Sequence, residues 1–146
     1  MTPLSAAEGM LTAVIGRDLP GVLDSFSAAD DVYIFVEGPR WTNRGGGRIA
    51  EGWRAYFEAP IRITAFEWVE GPYVFESGTL GQVVGVVDYD VSGNGMAKRL
   101  RMRMTWLLRH EGDRWRIVHE HGSQPLPDPY GAGDWWPAGE TPLAPR

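Results

Sequence analysis

The sequence predicts an α+β domain: a conical, curved antiparallel sheet packed against three amino-terminal helices. Three observations predict it. Apolar side chains recur at helical spacing through most of residues 1–58, interrupted by one short β-branched run. From Ile61 onward the apolar repeat falls to two, broken only at Gly-rich turns, which reads as a meander of long antiparallel strands. Helices first and long strands afterwards is the order of an α+β fold. Such a sheet curves into a cone whose narrow end the helices close, and a deep pocket follows from that geometry.

The elements can be justified in order. Ser5-Ala6-Ala7-Glu8 has the spacing of a capping box, and the helix it opens places Ala7, Met10, Leu11, Val14 and Ile15 on one face. Asp18 can cap a second helix, with Leu19, Val22, Leu23 and Phe26 at positions i, i+3, i+4 and i+7; Pro20 fits its first turn, where a missing N–H is harmless. Residues 32–36 form a strand candidate, broken by Glu37-Gly38-Pro39. Gly45-Gly46-Gly47 reads as a flexible mouth loop, since it lacks the spacing and lysine of a phosphate loop. A third helix spans residues 48–58, burying Ile49, Trp53, Tyr56 and Phe57, and Pro60 ends it. Strands are expected at 61–70, 73–75, 80–91, 97–109 and 114–123, with turns at Glu70-Gly71-Pro72, Ser92-Gly93-Asn94-Gly95 and Glu111-Gly112-Asp113. Residues 1–125 make the domain. Six of the eleven prolines lie beyond Ser123, so residues 126–146 are expected to be an extended tail that docks on its own or a partner subunit.

Composition narrows the function. A chain of 146 residues is most economically one domain with a real core. A net charge of −5 without a Lys/Arg-rich run argues against nucleic acid and anionic membranes as partners. With no cysteine, thiolate catalysis, disulfides and cysteine metal sites are excluded. The amino terminus shows no basic segment followed by a signal-type apolar run, and the apolar stretch at 10–15 is far shorter than the ~20 residues of a spanning helix, so a cytoplasmic protein is expected. Seven tryptophans suit a core, a pocket wall or an interface.

The last strand, Trp115-Arg116-Ile117-Val118-His119-Glu120-His121-Gly122-Ser123, concentrates the chemistry. Under strict alternation Trp115, Ile117, His119, His121 and Ser123 share one face, apolar at one end and polar at the other, as if opening into a cavity. Imidazoles there could exchange protons near neutral pH, or serve as hydrogen-bonded structural groups. A His-x-His pair on a strand also suggests a metal, but further ligands and an all-β barrel are wanting, so neither metal nor cofactor is expected. The neighbouring strand alternates Arg101, Arg103, Thr105 and Leu107 with a wholly apolar Leu100, Met102, Met104, Trp106 and Leu108, so both faces are partly buried and a lone monomer is not expected. Asp88 shares a face with Val84 and Val86, where apolar surroundings would raise its pKa and suit a general base; near a turn it would instead be solvated. Tyr33, Trp41, Trp53, Tyr56 and Trp68, with Phe35 and Phe66, supply an aromatic wall that favours a flat, hydrophobic ligand.

The order of elements, together with Arg103-Met104-Thr105 and the ending Trp115 to Pro125, resembles the SnoaL-like proteins of the nuclear transport factor 2-like, or cystatin-like, superfamily. That superfamily also holds ketosteroid isomerase and scytalone dehydratase, and the same ending is similar to the association domain of calcium/calmodulin-dependent protein kinase II. The resemblance implies a pocket between sheet and helices and a dimer formed through the sheet. It places Arg103 and Thr105 in the pocket, where the guanidinium could hold a carboxylate or an enolate; the alternative is an Arg paired with Asp88 or Glu67. It implies a cofactor-free isomerase, dehydratase or cyclase moving protons on an aromatic or polycyclic carbonyl compound. His119 or His121 would be acid/base, Arg103 the anion stabiliser and Asp88 the second proton group, with Thr105 and Ser123 contacting the ligand. The alternative it leaves open is a non-catalytic ligand-binding or oligomerisation module.

Overall fold

Thr2, not Ser5, starts the first helix of the computed structural model, which describes residues 1–136. The Thr2 hydroxyl accepts from the Ser5 backbone N–H at 3.1 Å, the Ser5 hydroxyl accepts from the Thr2 N–H at 2.8 Å, and Pro3 takes the first helical position. The capping box therefore lies one turn earlier than the 5–8 spacing suggests. Glu8, released from capping, accepts from the Trp68 indole at 3.0 Å and ties helix α1 (Pro3–Ile15) to the sheet. Helix α2 (Leu19–Ser25) begins as expected, with the Asp18 carboxylate accepting from the Gly21 N–H at 3.0 Å.

Strands β1 (Tyr33–Phe35) and β2 (Asn43–Arg44) follow; the second, only two residues long, was not expected from the sequence. Helix α3 (Gly46–Glu58) starts inside the glycine run, so that run is a helix start and not a loose loop. Gly45 is its N-cap at φ +86°, and Gly46 lies so close to Ala28 that a Cβ would sit 2.6 Å from that residue's backbone. Strand β3 (Ile61–Ser77) is one long strand where two were expected. It passes Glu70-Gly71-Pro72 through irregular pairing with β4 between Trp68 and Tyr73, and as an edge strand it loses no inner ladder bond at Pro72. Strands β4 (Leu80–Gly93), β5 (Met96–Glu111) and β6 (Arg114–Ser123) complete an unclosed, curved sheet in the order β2-β1-β6-β5-β4-β3, antiparallel except where β1 runs parallel to β6.

The inner face of the sheet presents Val83, Val87, Met102, Trp106, Leu108, Trp115 and Ile117 to Ala7, Met10, Leu11, Val14 and Val22 of the helices, and this is the core. β6 holds one irregularity that decides where the site lies. His119 pairs with Leu107 and Ile117 with Leu108, which leaves Val118 without a partner: a β-bulge. Alternation therefore slips by one residue at Val118. Trp115 and Ile117 face inward as expected, but beyond the bulge Glu120 and Gly122 face inward, while His119, His121 and Ser123 face outward.

Beyond β6, residues 126–136 leave Leu126, Tyr130, Trp135 and Trp136 exposed, the last two indoles packed at 5.6 Å. The remainder of the tail for which docking was expected, residues 137–146, lies outside the described residues. Among the described residues no helix is long and apolar enough to cross a membrane.

Candidate functional site

Between the helices and the inner face of the sheet lies a cavity of about 290 Å³. Met10, Leu11 and Val14 of α1, Ile49, Trp53 and Tyr56 of α3, and Ile34, Ile63, Tyr89 and Met104 of the sheet give it an apolar wall. Its polar groups are few: Glu120 inside, and Glu37, Arg40, Asn43 and Arg48 from the β1–β2 connection and the start of α3. That is the usual constitution of a small-molecule pocket, at the lower end of a range of about 300–1,000 Å³.

Glu120 is the distinctive group. It stands on β6 directly opposite Trp106 of β5, and the indole N–H donates to its Oε2 at 2.7 Å. Its other oxygen has no hydrogen bond from a described residue and is not sealed off from the cavity. Burial pushes its pKa up to about 7; the bond from Trp106 opposes that shift and the nearby charge of Glu37 adds to it. A carboxyl group in this state can take or give a proton close to neutral pH. Tyr89 lines the same cavity. Burial, with the charges of Glu120 and Glu37, holds its phenol well above the ordinary range, so it remains a hydrogen-bond donor. No described residue engages that hydroxyl in a hydrogen bond.

Most of the residues singled out from the sequence lie elsewhere. His119 contacts the Tyr33 carbonyl oxygen through Nδ1 and packs edge-on against Phe35, and His121 packs on the same ring at 5.3 Å. Arg103 donates to the Ser123 hydroxyl and the Gln124 carbonyl, both at 3.3 Å, and Thr105 stands opposite His121 in the ladder. All of these, Tyr33 included, occupy the outer face of the sheet. Asp88 is buried, but also on that face, where Arg101 grips it through two bonds of 2.8 and 3.0 Å. The Arg–carboxylate pair considered for Arg103 thus forms one rung away. Trp41 is 93% exposed and borders an open depression of about 550 Å³ with His121 and Ser123. Trp68 packs on Trp106 at 6.0 Å and spends its N–H on Glu8, so it braces the core beside the cavity. Trp53 and Tyr56 do line the cavity, and the Tyr56 hydroxyl accepts from the Ile63 N–H at 2.8 Å. Among the described residues no group of three or more His, Asp or Glu is placed to hold a metal ion.

Glu120, Tyr89 and Glu37 were missed, and a signal for the first was present. The wholly apolar face of β5 puts the Trp106 indole inside, and a buried indole N–H needs an acceptor. Two successive apolar residues, Ile117 and Val118, break strict alternation where a bulge would carry Glu120 into the cavity.

Comparison with known proteins agrees with this architecture. Residues 4–127 match the SnoaL-like domain family. A nuclear transport factor 2-like superfamily protein from Salmonella enterica superposes with a TM-score of 0.71 at 18% identity, over 88% of this chain and 92% of that one. A ketosteroid isomerase-like protein from Erwinia carotovora atroseptica gives 0.69 at 20% identity, covering 84% and 93%. A proposed calcium/calmodulin-dependent protein kinase type II association domain from Thiobacillus denitrificans gives 0.68 at 24% identity, covering 86% and 96%. These likenesses establish the fold. Comparison with curated proteins returned no match.

Proposed function

The chain belongs to the SnoaL-like family, and on that premise we propose that it is a small enzyme moving protons on a hydrophobic carbonyl compound held in the cavity. The reaction is an isomerisation, dehydration or cyclisation, and it needs no cofactor. The observation that carries this reading is Glu120: a buried carboxyl, poised near pH 7, in a largely apolar cavity. Glu120 removes a proton from the carbon beside the carbonyl and can return it elsewhere on the ligand. The Tyr89 hydroxyl donates to the oxygen that gains charge. Trp106 is a positioning residue, fixing one Glu120 oxygen and leaving the other toward the ligand. His119, His121, Arg103 and Asp88 belong to the outer face, and with the half-buried Val84, Val86 and Leu107 they form the surface on which the chain pairs with a second copy.

The test is solvent deuterium incorporation into a panel of aromatic and bicyclic ketones. Wild type should exchange the hydrogen next to the carbonyl, with kcat/KM rising with pH through about 7 as Glu120 becomes the base. Glu120→Gln should lower that rate by roughly 10²–10⁴-fold, while His121→Ala stays within a few-fold of wild type. Full activity in Glu120→Gln alongside a dead His121→Ala would move the chemistry to the outer face. Absence of any exchange, with a uniform oligomer, would favour the non-catalytic module.

A further inference from the structure

We propose that the ligand of this cavity is an amphiphilic acid, with an apolar ring system inside and an anionic group, a carboxylate or its equivalent, held at the mouth by Arg40 with support from Arg48. This rests on the reading of the cavity as a small-molecule site and adds the class of ligand.

The interior is apolar except for one buried carboxyl, Glu120. The mouth is different. Three charged side chains line it, and two of them are arginines. Arg48 is weakly engaged, with an exposed contact of 3.3 Å to Glu51 one turn along α3, an arrangement that contributes little in water. Arg40 forms no ion pair with a described residue. Glu37, the third group, does not neutralise it. Its carboxylate turns toward the sheet, where a Cβ on Gly122 would lie 3.0 Å from Oε2. An unpaired guanidinium at the rim of an apolar cavity is suited to an oxyanion, which its planar fork can hold through two parallel bonds.

The position of Arg40 sets the polarity of the ligand. The segment carrying Val36, Glu37 and Arg40 borders both the cavity and the open depression that contains Trp41 and His121. A ligand whose rings fill the cavity and whose other end reaches toward that depression passes Arg40. A group at that end is wetted, so keeping it charged costs little, whereas an anion at the Glu120 end would face a carboxyl in an apolar wall. The ligand therefore enters rings first, with its reactive carbon toward Glu120 and its charge outward.

Three probes of one size test this: 2-naphthylacetate, its primary amide, and the neutral ketone 2-acetylnaphthalene, each titrated calorimetrically into the full chain at pH 7.5. The expected result is that the acid binds roughly tenfold tighter than the amide, the ratio for one charge-assisted contact. Arg40→Gln should abolish that preference while leaving the ketone's affinity unchanged, and Arg48→Gln should reduce it partially. Raising the salt concentration should weaken the acid and not the amide. Equal binding of acid and amide, or a preference that survives Arg40→Gln, overturns the inference. So does the absence of binding by all three. Should the ketone exchange deuterium in a Glu120-dependent way while the acid shows no preference, the proton-transfer reading stands and the anionic mouth alone is refuted.

Discussion

The Glu120 carboxyl ties the proposed function to stability, because the group to which the chemistry is assigned is one the fold holds at a cost. In the unfolded chain this proton leaves near pH 4.5; in the folded protein it stays until about 7. Below 4.5 both states are protonated and the group has no effect on stability. Between the two values only the unfolded state has released the proton, so rising pH favours unfolding, and above 7 the penalty is complete. At 1.36 kcal/mol per pKa unit the loss is about 3 kcal/mol. Hydrogen bonds from Arg116 to Asp24 and from Arg109 to Asp31 hold those carboxylates low, and their influence has the opposite sign and falls at more acid pH. The difference between wild type and Glu120→Gln isolates the one group. Urea denaturation at pH 4.5 and pH 8 should show wild type losing stability over that interval relative to the variant, which keeps an acceptor for Trp106 and should be the more stable protein at pH 8. Parallel stability curves for the two proteins would remove Glu120 from the account.

At the scale of elements, local signals were read well wherever the chain decided the structure alone, and poorly where a neighbour did. The bounds of β6 were legible from its alternation and its flanking turns; the face of its second half was not, because a bulge is agreed between two strands and only the pairing with Leu107 and Leu108 reveals it. That single slip exchanged Glu120 for His119 and His121 in the cavity. Apolar surroundings point to Asp88 in the sequence, but in the structure Asp88 lies on the outer face, gripped by Arg101, and Glu120 is the carboxyl that enters the cavity. The glycine run before α3 shows the same division. Its lack of side chains suggested looseness, whereas the structure requires it at one position and not at the next. Gly46→Ala drives a Cβ into the Ala28 backbone and should destabilise by about 1–3 kcal/mol. Gly47→Ala meets nothing within 4 Å on an exposed helical turn and should stabilise by about 0.5–1 kcal/mol. Thermal denaturation of the pair checks this, and equal shifts of the same sign would sink it.

For the whole molecule, the sheet separates two kinds of burial. Its inner face closes on the helices except at the wide end, where the core is left unfilled and the cavity of about 290 Å³ remains. Its outer face carries charge pairs, the two histidines and half-buried valines, with no described element covering it. Empty apolar volume lowers stability, so a chain selected for stability alone would fill it; a chain selected for a ligand would not. Gly52 allows these alternatives to be told apart. It lies on α3 and lines the cavity, is exposed, and a Cβ there would meet nothing within 4 Å. Gly52→Leu gives the helix a better former, worth about 0.5–1 kcal/mol, and projects a side chain into the space a ligand needs. The melting temperature should rise by a few degrees, for a domain of this size about 2–4 °C per kcal/mol, while affinity for the naphthyl probes falls at least tenfold. Such a variant, better folded and unable to bind, would mark the cavity as the part of the molecule retained for function. A variant that gained stability and still bound the probes with unchanged affinity would place the ligand elsewhere, with the outer depression beside Trp41 and His121 the next surface to test.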